Sequence, residues 1–193
     1  MTGAGYDGVV LAGGRARRMG GVAKPGLEVD GRRLLDVALD ALVGAGTRVV
    51  AGGVEALPEG VLRVSEEPPG GGPVAGLDAA LAVVTAPVVV VLAADLPFVA
   101  PAHVEQLLVG LAGGAAALAV DAHGREQPLL AAYDVAALRD ALPDPVAGAP
   151  MHRFVAGLGE LRLVELTGRP VPWFDCDTEG ELRAARLWAA DRE

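Results

Sequence analysis

Pro87 to Ala93 (PVVVVLA) is an apolar run with almost no polar alternation, and a carboxylate, Asp95, lies just beyond it. A strand wet on one face alternates apolar and polar side chains, so this run is expected to be the central strand of a parallel sheet, covered on both faces. A second compact run, Gly8 to Ala12 (GVVLA), opens into glycines and arginines, the pattern of a buried first strand leading into a loop. Even the longer stretch from Val83 to Ala94, with Pro87 inside it, falls well short of the ~20 residues that cross a bilayer. No membrane partner is expected.

Helical and strand patterns alternate along the rest of the chain. Leu34, Leu35, Val37, Ala38, Ala41 and Leu42 fall at helical spacing and predict a helix over Arg32 to Val43, ended by Gly44 and Gly46. Strands are expected at Thr47 to Ala51 and Val61 to Val64, then a Pro/Gly-rich turn from Pro68 to Pro73 and a helix over Val74 to Val84. Further helices are expected at Ala102 to Leu111, Val135 to Leu142, Met151 to Leu158 and Glu179 to Ala190. Strands are expected at Ala115 to Val120, Pro128 to Tyr133 and Leu161 to Glu165. Thr178 and Glu181 form a T-x-x-E capping box for the last helix. This alternation predicts a three-layer α/β/α sandwich around a Rossmann-like, mostly parallel (mixed) sheet. With no internal repeat and no linker, residues 1–193 are read as one domain.

Composition narrows the function. The net charge of −9 argues against general nucleic-acid binding, which draws on basic faces whose phosphate contacts release counterions. The single cysteine, Cys176, permits no intramolecular disulfide and cannot by itself make a structural zinc site. No positive residue precedes the first short apolar stretch, so it does not resemble a signal peptide, and a cytoplasmic location is expected. Much of the 52% hydrophobic content is Ala and Val, so it indicates a packed core and little else.

Ligands of such sheets sit beyond the carboxyl ends of the strands, and three segments there carry unusual residues. The first, after the first strand, is LAGGRARRMGGVAKP, Leu11 to Pro25, with Arg15, Arg17, Arg18 and Lys24. Its glycines let backbone come close to a ligand, and successive N–H groups form an anion-binding nest that cations complete. A solvated basic loop is the competing reading. Lys24 is the only lysine in a chain with fifteen arginines, and a compact ammonium does what a guanidinium fork does not. Pro25 after Lys24 departs from the P-loop pattern, and the glycines do not space as G-x-G-x-x-G.

The second segment is Ala93-Ala94-Asp95-Leu96-Pro97, where Asp95 is the best candidate for holding a magnesium ion; the plain alternative is a turn or helix-capping role. The third is Phe174-Asp175-Cys176-Asp177-Thr178. If extended, it puts Asp175 and Asp177 on one side and Cys176 on the other; helix-start polarity explains the two acids equally well.

Taken in order, LAGGRARRMGG with Lys24, Glu66-Glu67, Gly72-Pro73-Val74-Ala75-Gly76, Ala94-Asp95-Leu96-Pro97 and Asp175-Cys176-Asp177-Thr178 resemble the molybdenum cofactor guanylyltransferases, of the nucleotidyltransferase fold type, over nearly the whole chain. Gly13 in LAGG, where the cytidylyl branch has the alanine of LAAG, favours the guanylyl branch. The resemblance implies transfer of GMP from Mg·GTP to the phosphate of molybdopterin, with Mg2+ as cofactor. It implies that Leu11, Ala12, Gly13 and Gly14 line the nucleotide, that Arg18 and Lys24 hold phosphates, and that Glu67 contacts GTP. It further implies that Gly72 to Gly76 pass near the base, that Asp95 binds magnesium, and that Gln127, Pro128, Asp175 and Asp177 lie on the acceptor side. Transient contact with proteins that deliver molybdopterin or receive its dinucleotide is compatible with it.

This chain departs from the family pattern at Ala23, where Asp is usual, at Gly52, where Asn is usual, and at Asp175, Asp177, Glu179 and Gly180, where the family tends to Asn-x-Asn-Thr-Pro-Glu. A sister enzyme with another nucleotide or acceptor, such as a molybdopterin cytidylyltransferase, shares every phosphate-handling residue. A non-catalytic nucleotide-binding homologue is the third reading. The isolated Ser65, Cys176, His103, His123 and His152 suggest no nucleophilic triad, and the histidines are expected at the surface or in packing.

Overall fold

A computed structural model describes residues 5–13, 26–53 and 56–190. Seven strands form one sheet: β1 (Tyr6–Leu11), β4 (Arg48–Ala51), β5 (Val61–Val64), β6 (Val88–Ala93), β7 (Ala116–Val120), β8 (Glu126–Asp134) and β9 (Leu161–Val164). Their order is β5-β4-β1-β6-β8-β7-β9. All neighbours are parallel except β8, which runs antiparallel to both β6 and β7. The expected mixed, mostly parallel sheet is therefore found, and Val89 to Leu92 are fully buried at its centre.

The helices cover both faces. On one side α1 (Leu34–Ala41) and α3 (Pro101–Leu111) pack through Leu35, Leu39 and Leu107 onto Val10, Val50, Val90 and Leu92. On the other, α2 (Pro73–Leu81), α4 (Val135–Ala141) and α5 (Met151–Ala156) bury Leu77, Leu138 and Val155 against Val9, Val49, Val91 and Tyr133. Odd and even positions along β1 and β6 go to opposite clusters, as a pleated strand requires. A third, smaller core joins α6 (Glu179–Ala190), through Leu182 and Ala185, to Leu27, Val29, Leu34, Phe98 and Cys176. Phe98, Phe174 and Trp188 stack at its rim, with Phe174 and Trp188 edge-on at 4.9 Å between centroids.

Arg32 and Arg33 do not begin the first helix. They form β3 (Arg32–Arg33), paired antiparallel with β2 (Glu28–Val29). The two-residue loop Asp30–Gly31 has φ of 52° and 67°, the all-positive turn that Asp-Gly favours in hairpins. That dipeptide is the signal that helical periodicity obscured. The capping box of α6 forms as expected, with Glu181 Oε2 accepting from the Asp177 and Thr178 amides at 2.9 and 2.7 Å and Thr178 Oγ1 accepting from Glu181 N–H at 3.2 Å.

The edge of the sheet opposite the strand carboxyl ends is closed by Asp7, which is 2% exposed. Its carboxylate accepts from Thr47 N–H (2.8 Å), Thr85 N–H (2.8 Å) and Ala86 N–H (3.0 Å), fastening the loops before β4 and β6 to β1. Burial pushes its pKa upward, but the amides of Ala86, Thr85 and Thr47 outweigh that and hold it below the ordinary 3.8. The native state thus binds fewer protons than the unfolded state near that pH. The stabilisation is complete above the ordinary value and is lost as pH falls through it toward the lowered native value. Asp7→Ala leaves three amides without their acceptor and is expected to cost about 2 kcal/mol. Denaturant melts of both proteins check this: the gap should be widest at neutral pH and narrow below pH ~4.

Candidate functional site

Three parallel strands carry their ladder past their last residues, and this assembles the site. Ala12 N–H donates to Ala51 O at 2.8 Å, Gly52 N–H to Val64 O at 3.0 Å, and Ala94 N–H to Leu11 O at 3.2 Å. The register pairs Leu11 with Ala93, so Gly13 and Asp95 each follow by two residues on adjacent, parallel strand ends. Neighbouring strands lie about 4.8 Å apart, so the glycine loop and the candidate metal ligand leave the sheet side by side. With β4 and β5 to one side of β1 and β6 to the other, this is where the strand order reverses, the usual ligand crevice of such sheets.

Gly52 is required by this arrangement. Its φ is +130°, and a β-carbon there would stand 2.5 Å from Gly13 N and 2.7 Å from Ala12 C. The backbone after β4 is pressed against the backbone of Ala12 and Gly13, and the asparagine usual in the resembling family has no room.

The Pro/Gly segment meets the same edge. Gly72 is the N-cap of α2 with φ +93°, and Pro73 opens the helix. Gly72 has no side chain to cap this end and no acid lies in its first turn, so its amides and dipole suit an anion. A β-carbon on Gly76 would meet Leu11 Cδ2 at 3.5 Å and Ala51 Cβ at 3.6 Å, which places the start of α2 against β1 and β4.

Glu66 and Glu67 take different positions. Glu67 is exposed, whereas Glu66 is buried, accepts from Gly70 N–H at 3.2 Å, and would have its Oε1 3.3 Å from a methyl group on Gly13. Glu66 is thus the carboxylate against Gly13. Nothing in an adjacent pair of glutamates separates their roles in sequence, because burial follows from the phase in which the chain leaves β5.

The C-terminal segment comes to the same place. Cys176 N–H donates to Asp95 O at 3.1 Å, and Cys176 is fully buried between the exposed Asp175 and Asp177, the alternation expected of an extended segment. Asp95 itself is half-buried. Because β8 is antiparallel, its first residues, including Gln127 and Pro128, also lie at this edge, beyond the Leu92–Leu130 pair. The turn before them is fixed by Asp121, whose Oδ1 accepts from Arg125 N–H (2.9 Å) and His123 N–H (2.8 Å); these bonds hold its carboxyl below the usual range.

Gly14, Arg18 and Lys24 lie outside the described residues. Leu11, Ala12, Gly13, Gly72, Asp95, Gln127, Pro128, Asp175 and Asp177 converge on one edge. Among the described residues no three His, Cys, Asp or Glu side chains form a metal cage. His103 is a packing residue: Nδ1 accepts from Ala100 N–H and Nε2 bonds Thr167 O, both at 3.0 Å. No helix among the described residues is long and apolar enough to cross a membrane.

Comparison with known proteins identifies the family and the fold. The MobA-like NTP transferase domain matches residues 8–161. A "Molybdenum cofactor guanylyltransferase" from Acidiphilium cryptum is 34% identical, across 92% of each chain. A "Probable molybdenum cofactor guanylyltransferase" from Pelotomaculum thermopropionicum is 32% identical, across 94% of this chain and 92% of that one. Among solved structures, the molybdopterin-guanine dinucleotide biosynthesis protein A of Archaeoglobus fulgidus superposes with a TM-score of 0.75 at 24% identity, covering 96% of this chain and 99% of that one, a likeness of fold.

Proposed function

Because the chain belongs to the MobA-like NTP transferase family, we propose that it transfers GMP from Mg·GTP to the phosphate of molybdopterin, forming molybdopterin guanine dinucleotide and pyrophosphate. It is a nucleotidyltransferase, and its relatives support a place in molybdenum cofactor biosynthesis. The observation that supports the reading most is the register that pairs Leu11 with Ala93, from which the segments carrying Gly13 and Asp95 leave adjacent strand ends.

In the transfer, an oxygen of the acceptor phosphate attacks the α-phosphorus of GTP, and the bond to the β-phosphate oxygen breaks to release pyrophosphate. The attacking group belongs to the acceptor, so the protein needs no nucleophile of its own. It supplies position and charge, which dominate phosphoryl-type transfer. Leu11, Ala12, Gly13 and Gly14 bring backbone up to the nucleotide, with Gly72 near the base, while Arg18 and Lys24 are assigned to the triphosphate. Glu67 keeps the GTP contact implied by the family pattern, and Glu66 shapes the loop from beneath. On the acceptor side we assign Gln127, Pro128, Asp175 and Asp177.

Asp95 would hold the magnesium ion. A single carboxylate, with the remaining shell left to phosphate oxygens and water, suits Mg2+ better than an ion that demands an all-protein cage. Bound there, the metal neutralises charge on the triphosphate. The same reading places the reaction in the cytoplasm.

Pyrophosphate release measured with each of the four nucleoside triphosphates, with and without molybdopterin, tests the proposal. Release is expected only with GTP and only when molybdopterin is present. Release with CTP or another acceptor would make the chain a sister enzyme, and no release under any combination would make it a binding homologue.

A further inference from the structure

The ladder between β7 and β8 breaks in the middle. Leu118 pairs with Ala131, yet the next residue, Ala119, pairs with Gln127, so Pro128, Leu129 and Leu130 are extra on β8. An uninterrupted ladder would have put Leu130 opposite Ala119. A slip of three residues is odd, and in a pleat with a period of two it turns the strand over.

Leu118 and Ala131 face the α2, α4 and α5 side, and Ala119 faces the α1 and α3 side. Without the bulge Gln127 would share the face of Ala131. With it, Gln127 shares the face of Ala119, to which Leu96 and Trp173 also belong. Leu96 directly follows Asp95, so the bulge puts Gln127 on the sheet face that Leu96 joins, with its side-chain amide donating to Arg125 O at 3.4 Å.

One side chain spans the irregular stretch. Tyr133 is fully buried on the opposite face, and its hydroxyl donates to Pro128 O at 2.6 Å. Pro128 has no N–H to give a ladder, so its carbonyl is the polar group of that residue that needs a partner. Burial, then the Glu126 charge, push the Tyr133 pKa far above its ordinary value, so it remains a donor at every physiological pH.

We propose that Tyr133 is a positioning residue for the acceptor, its hydroxyl pinning the β8 bulge that turns Gln127 to the Asp95 side. The inference rests on the functional reading above, in which Gln127 meets molybdopterin. Tyr133→Phe keeps the ring in the core and removes only the pin.

The test measures steady-state transfer and amide hydrogen exchange for the wild-type chain, Tyr133→Phe, Gln127→Ala and the double variant. Tyr133→Phe is expected to raise the KM for molybdopterin roughly 10-fold, the scale of one buried carbonyl left unpaired, with the KM for GTP unchanged. Exchange at Leu129 and Leu130 should quicken, and adding Gln127→Ala should cost little more, since both changes remove one contact. Equal rises in both KM values, fully additive losses, or unaltered exchange would each overturn the inference. If the wild-type chain shows no molybdopterin-dependent release, the functional reading fails and the acceptor role with it. If the wild type is active and Tyr133→Phe behaves like it, this inference fails alone.

Discussion

Asp95→Ala is expected to reduce GMP transfer by about 10³-fold or more and to erase its dependence on magnesium concentration. The bond that ties the C-terminal segment to this strand uses the backbone carbonyl of Asp95, accepting from Cys176 N–H at 3.1 Å, and truncating the side chain leaves it in place. Magnesium titrations of the two proteins should diverge, since only the wild type keeps the carboxylate. Asp95→Asn, which keeps size and polarity but not charge, should resemble the alanine variant. Activity near that of the wild type in either protein would remove Asp95 from the mechanism and leave it a turn residue.

That prediction was readable before any coordinates, because a hydrophobic run ending in a carboxylate fixes both the depth of the strand and the end at which the carboxylate emerges. The same holds for Gly8 to Ala12 and for the α/β layering, which depend on local apolar periodicity. Less was legible where two local signals compete. At Arg32 and Arg33, helical spacing of the leucines that follow masked the Asp30-Gly31 turn, whose all-positive φ values make a hairpin instead. The direction of β8 depends on pairing between strands far apart in sequence, so its own residues could not reveal it. The burial of Glu66 in place of Glu67 is likewise a matter of strand phase, settled by contact with Gly13 and Gly70.

Position 52 shows how a departure from a family pattern is resolved by geometry. The chain has glycine where the resembling family usually has asparagine, and from sequence alone this looks like the loss of a nucleotide contact. In the structure it is a steric requirement: φ of +130° is a conformation side-chain-bearing residues rarely adopt, and a β-carbon would stand 2.5 Å from Gly13 N. The obstacle is backbone on both sides and cannot rotate away. Ala12 N–H is bonded to Ala51 O and Gly52 N–H to Val64 O, so neither strand end is free to retreat without breaking a ladder bond.

Gly52→Ala is therefore expected to displace the Ala12–Gly13 backbone by a large fraction of an ångström. On the proposed reading a shift of that size would displace backbone that meets the nucleotide, and kcat/KM for GTP should fall roughly 10²-fold. Gly53→Ala is the matching control, since a β-carbon there meets no atom of the described residues within 4 Å. Measured side by side, the position 52 variant should lose GTP affinity and thermal stability together while the position 53 variant keeps both. Were the two variants equally active, the close approach of the β1 and β4 ends would not be what shapes the proposed nucleotide site, and the role assigned to Gly13 would lose its mechanical support.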